Sequence, residues 1–137
     1  MVIFLLKGIN KNMKIKCGTD IIEIDRIKES IEETDGKFCE RVYTKNEIEY
    51  CESKKNQKYQ HYAARFAAKE AVFKAISELL QSKYNIVWQD IEIINDDNGK
   101  PHVNILKREI MQNIENIDLS ISHCKLYATA NVVILYK

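Results

Sequence analysis

Apolar residues recur along this chain with two different periods. KIKCGTDIIEI (14–24) is rich in isoleucine, which predicts a strand that breaks at Gly18. DRIKESIEE (25–33) has helical spacing, with Asp25 placed to act as its N-cap. TDGK (34–37) carries turn chemistry. Thr44 and Glu47, three residues apart in TKNE, match a capping box and predict a helix from there through Ser53. SKKNQK reads as a basic polar loop, and the longest helical pattern follows, from about Gln57 to Leu80.

The second half changes period. DIEIIND (90–96) alternates like a strand, DNGKP (97–101) is a turn ahead of the only proline, and HVNIL (102–106) is a second strand, so a hairpin is predicted. KREIMQNIEN (107–116) predicts a short helix, and LSISH (119–123) and LYATANVVILY (126–136) two further strands. Helices and strands in mixed order, with hairpin-like pairing late in the chain, predict an α+β domain with antiparallel strands packed around a long central helix.

At 137 residues the chain has the length of one domain, and 45% hydrophobic residues supply a single core. Lys and Arg total 21 against 20 Asp and Glu, so net charge points to neither nucleic acid nor a membrane as partner. The opening MVIFLLKGIN makes a poor signal peptide. Residues 1–12 are therefore read as an N-terminal extension or leader, and residues 13–137 as the domain. Four scattered cysteines with no CxxC pair fit reduced thiols in the cytoplasm.

The chemistry concentrates in RFAAKEAVFKA (65–75). At about 100° per residue, Val72, Phe73, Ile76, Leu79 and Leu80 share one stripe, and Ala67, Ala68, Ala71 and Ala75 fill the adjoining sector. Glu70, Lys74 and Ser77 occupy a narrow polar strip, while Arg65 and Lys69 lie at the N-terminal end of the apolar stripe. A helix apolar over most of its circumference is central. Glu70 and Lys74 are either an i,i+4 surface pair or a functional pair, since a carboxylate on an enclosed helix needs a cation partner. A second acidic segment, GTDIIEID, places Asp20 after a glycine, where backbone and ligand can approach closely; the alternative is a turn aspartate satisfying its own backbone.

These segments together resemble the bacterial-type holo-acyl-carrier-protein synthases, which are short single-domain 4′-phosphopantetheinyl transferases. GTDIIEIDRI, RVYTKNE, RFAAKEAVFKA, NGKP, and LSISH with YATANVV match that family's motifs in order, from about Met13 to Tyr136. The resemblance implies transfer of the 4′-phosphopantetheine arm of coenzyme A to a serine of apo-acyl carrier protein, in fatty acid biosynthesis. The other product is adenosine 3′,5′-bisphosphate. It implies Mg²⁺ held by Asp20 and Glu70, Lys74 on the departing phosphate, and a homotrimer with sites at the subunit interfaces. For coenzyme A it points to Arg65, Lys69, Asn98, Gly99, Lys100, Pro101 and His123.

Three departures from the family pattern stand out. Lys16 occupies a frequent glycine position, Cys124 a frequent threonine position, and the first helix turns acidic after Arg26 and Lys28, which shifts carrier docking toward Lys37, Arg41 and Lys45. A transferase of the same fold serving polyketide or peptide carriers is disfavoured by the short single domain. A non-catalytic binder of coenzyme A is disfavoured by the joint presence of Asp20, Glu70 and Lys74.

Overall fold

A computed structural model describes residues 12–80 and 85–137. The expectation for residues 1–12 falls almost wholly outside that range. Chain order is β1 (Lys14–Glu23), α1 (Ile24–Glu33), α2 (Lys37–Val42), α3 (Lys45–Ser53), α4 (Lys58–Ile76), β2 (Ile91–Asn95), β3 (Pro101–Ile105), α5 (Arg108–Met111), β4 (Ile114–His123) and β5 (Tyr127–Tyr136). β1, β5 and β4 form an antiparallel sheet with β5 in the middle, and β2 pairs with β3 as a hairpin. The architecture is the expected α+β, with α4 packed across β1 and β5.

β5 shows why the sheet and helix lie so close. Ala128, Ala130, Val132, Ile134 and Tyr136 are buried at every second position. The two alanines leave room for a helix whose own facing residues include Ala67, Ala68, Ala71 and Ala75, all buried. The core falls into two clusters joined through α4: one around Val72, Ile76, Ile93 and Ile134, the other around Tyr43, Cys51 and Tyr62.

Several local expectations need correction. β1 does not break at Gly18 but runs straight through it, paired to Val132. The glycine serves the helix instead: a Cβ there would overlap the Ala71 carbonyl oxygen. Asp25 is not the N-cap of α1. That position is Glu23, without a side-chain cap bond, because the strand runs directly into the helix. The turn at 34–37 opens into α2, unforeseen because six residues are too few to display a helical period. α4 starts at Lys58 after a 3₁₀ turn (Lys55–Gln57) and tightens into another over Ser77–Leu79. The helix expected over 107–116 stops at Met111, since Ile114 already pairs with Tyr136. The capping box at Thr44 and Glu47 is present as read.

Candidate active site

Asp20 sits on the face of β1 that it shares with Gly18, two residues away and toward α4. Because Gly18 lets α4 lie against the strand, Asp20 comes within reach of the helix's polar strip. The Lys74 ammonium donates to Asp20 Oδ1 at 3.0 Å and to the Thr19 carbonyl at 2.9 Å. One ammonium hydrogen then remains, on a half-exposed side chain. Glu70, one turn back on the same strip, is half-buried. Burial first, and then the Asp20 carboxylate, push its carboxyl above the usual glutamate value, with Lys74 opposing. The arrangement is two carboxylates in electrostatic contact, with one cation between segments 54 residues apart.

Glu70 also borders a cavity of about 440 Å³, whose wall includes Arg41, Phe73, Ile86, Val87 and Trp88. Lys69 reaches that wall as well, yet its side chain has no solvent exposure. Its ammonium pairs with Glu47 Oε1 at 2.5 Å and donates to the carbonyls of Val42 (2.6 Å) and Trp88 (3.2 Å). Three partners use its three hydrogens. Burial draws Lys69 below the usual lysine value, and Glu47 pulls it back up. Glu47 in turn accepts from the Thr44 and Ile93 amides. The residue expected to contact coenzyme A therefore clamps α4 to α2, α3 and β2.

A second cavity, of about 390 Å³, gathers most of the remaining expected residues: Arg65, Gly99, Lys100, Pro101 and His123 line it together. The hairpin turn presents its members through an aspartate. Asp96 Oδ1 accepts from the amides of Asn98 and Lys100, both at 2.9 Å, and Gly99 takes a left-handed φ of +84°. Arg65 donates to Asn95 Oδ1 at 2.6 Å, and Asn95 donates to the Gly99 carbonyl at 2.9 Å, so helix α4 holds the turn. Lys100 pairs with Asp118 at 3.4 Å on the surface. Asn98 is exposed at the turn and does not line the cavity.

Arg65 and Glu70 are five residues apart, so they project about 140° apart on α4. One chain thus separates the carboxylate group from the basic cavity. The residues missed by sequence reasoning are Tyr50 and His61 in the second cavity and Phe73 and Trp88 in the first. His61 had a legible cue, its spacing of one turn from Arg65.

The sequence model of the 4′-phosphopantetheinyl transferase superfamily matches residues 16–132. The chain belongs to this superfamily. Among its phosphopantetheinyl transferase relatives, the holo-[acyl-carrier-protein] synthase of Ruminiclostridium cellulolyticum is 50% identical over 126 residues, 89% of this chain and 92% of the relative. That of Protochlamydia amoebophila is 46% identical over 123 residues, covering 88% and 98%. The crystal structure of the Bacillus anthracis synthase, in complex with CoA (3′,5′-ADP), superposes with a TM-score of 0.75 at 35% identity, covering 91% of this chain and 99% of that one. No helix among the described residues is long and apolar enough to cross a membrane.

Proposed function

We propose that this chain is a holo-acyl-carrier-protein synthase, transferring 4′-phosphopantetheine from coenzyme A to a serine of apo-acyl carrier protein for fatty acid biosynthesis in the cytoplasm. The Asp20–Glu70–Lys74 group carries the reading. In the reaction the carrier's serine oxygen attacks the phosphorus that bears pantetheine. The bridging P–O bond breaks, adenosine 3′,5′-bisphosphate departs, and the serine proton passes to a base.

The donor set fits Mg²⁺. Asp20 and Glu70 offer hard oxygens, and burial first and then the Asp20 charge raise the Glu70 carboxyl, a balance that a bound cation would oppose. Among the described residues no third His, Cys, Asp or Glu joins them. Mg²⁺ needs none, since it is held by one or two carboxylates, waters and substrate phosphates. When bound it supplies neutralisation of the pyrophosphate, which otherwise repels the incoming oxygen. Lys74 spends two hydrogens fixing Asp20 and β1 and directs the third toward the departing phosphate, where charge develops.

Arg65, Gly99, Lys100, Pro101 and His123 hold the nucleotide end of coenzyme A in the basic cavity. Since α4 separates that cavity from its own carboxylates, a neighbouring copy's carboxylates complete the site. The assembly is a homotrimer. The sheet face turned away from α4 supports it: Ile15, Ile21 and Val133 are exposed there, 64%, 65% and 50%, with Cys17 opposite Val133 and Leu135 opposite Ile15. The test is to incubate the protein with apo-carrier protein, coenzyme A and Mg²⁺ and weigh the carrier. Gain of one phosphopantetheine is expected. An unchanged carrier mass in the presence of active coenzyme A refutes the reading.

A further inference from the structure

The basic cavity has a titratable member with no role so far. His61 lies on α4 one turn before Arg65, a spacing that puts both on one face of the helix. Its imidazole stands edge-on to the Tyr50 ring, centroids 5.6 Å apart, and 6.3 Å from the ring of His123. Tyr50 also carries the Arg65 guanidinium, 3.9 Å from its centroid, so one aromatic ring braces both groups.

Within one chain, the ionisable groups that act on His61 are all basic. Arg65 faces it from its own helix, Lys54 from the end of α3 and His123 from the end of β4, while Lys100 of the hairpin lines the same cavity. No carboxylate among the described residues lines it. Arg65 is only 3% exposed, and its Nε has no hydrogen-bond partner. A buried donor without a partner beside so many cations indicates that an anionic acceptor belongs there.

We propose that His61 is a further contact of this cavity for a phosphate-bearing ligand and takes up a proton as the polyanion enters. The proposal rests on the reading of this cavity as the nucleotide end of the coenzyme A site. In the free protein, burial first and then Arg65, Lys54 and His123 hold the imidazole below the usual histidine value, so it is neutral near pH 7. A phosphate within about 4–6 Å reverses that balance and raises the imidazole by about one to three units. The protonated ring then donates a charge-assisted hydrogen bond. The sign of the linkage follows. A group whose pKa rises on binding strengthens binding as pH falls through its bound value, and the gain levels off below its free value. Phosphate protonation, near pH 6, acts in the opposite direction. The contribution of His61 is therefore the difference between the parent and a variant lacking the imidazole.

The chain has only three histidines, His61, His102 and His123, so each imidazole resonance can be followed by NMR. The experiment titrates the full chain with pH, with and without saturating adenosine 3′,5′-bisphosphate. His61→Phe, which keeps a ring against Tyr50, assigns the signal, and His61→Gln replaces it if the phenylalanine variant does not fold. The His61 midpoint is expected to rise by about one to three units on saturation. Between pH 8 and pH 6 the parent should gain about tenfold in affinity relative to the variant, by calorimetry. If His123 responds and heat is released while His61 stays put, this inference is overturned and the nucleotide reading stands. If no histidine responds and no heat is released, the nucleotide reading falls, and this inference with it.

Discussion

Replacing Lys69 by methionine removes an ammonium from a site with no solvent exposure and leaves a chain of similar length. Glu47 then keeps its bonds from the Thr44 and Ile93 amides but loses its cation, and the Val42 and Trp88 carbonyls lose a donor. Breaking a buried pair from one side costs about 3–5 kcal/mol, because a charge is left desolvated and unpaired. The whole stability of a domain is about 5–15 kcal/mol. Melting entropy is about 2.1 cal/mol/K per residue, so 137 residues give roughly 0.29 kcal/mol/K. The melting temperature should therefore fall by about 10–17 °C. Circular dichroism melts at one fixed protein concentration measure it, since an oligomer's stability depends on concentration. A Glu47→Gln, Lys69→Met double variant removes both charges and should recover more than half of the loss. A Lys69→Met protein that melts within about 3 °C of the parent would refute the clamp. If it also lost affinity for coenzyme A, Lys69 would return to the ligand set.

The two members of the polar strip should separate. Glu70→Gln removes a desolvated charge beside Asp20, so the metal-free protein should melt higher while apparent Mg²⁺ affinity falls; thermal melts with and without Mg²⁺ decide it. Lys74→Ala should lower turnover by about two to three orders of magnitude with no rescue by excess metal, and parent-like turnover would rule out its role at the phosphate. The raised Glu70 carboxyl also sets a pH dependence: the folded state keeps this proton to higher pH than the unfolded chain. Its contribution to stability is therefore lost as pH rises from the unfolded value through the folded one, and Mg²⁺ activation weakens as pH falls through the folded value, which a Mg²⁺ titration at several pH values measures. Gly18→Ala should fail to give a soluble, folded protein, because the added carbon overlaps helix backbone; a normal yield and melt would contradict that packing. Val133→Glu should turn a trimer into monomers by light scattering, and an unchanged mass would remove the sheet face from the interface.

Local chemistry was legible wherever its partners are neighbours in the chain. The Thr44–Glu47 capping box, the Asn98–Gly99 turn between two short strands and the alanine-rich α4 each carry their cause within a few residues. The order of motifs likewise pointed to the transferase superfamily. Elements whose cause lies elsewhere were misread. Gly18 looks like a strand break because its reason, the Ala71 carbonyl, is more than fifty residues away. Ile114 reads as the tail of a helix because only pairing with β5 makes it strand. Charge partnerships belonged to the tertiary structure for the same reason. Lys69 and Lys74 stand on one helix, five residues apart, and sequence spacing cannot say that one meets Glu47 in the interior while the other meets Asp20 at the surface. That outcome is decided by which face of α4 each strand and helix covers, and so by the packing that turns Arg65 away from Glu70.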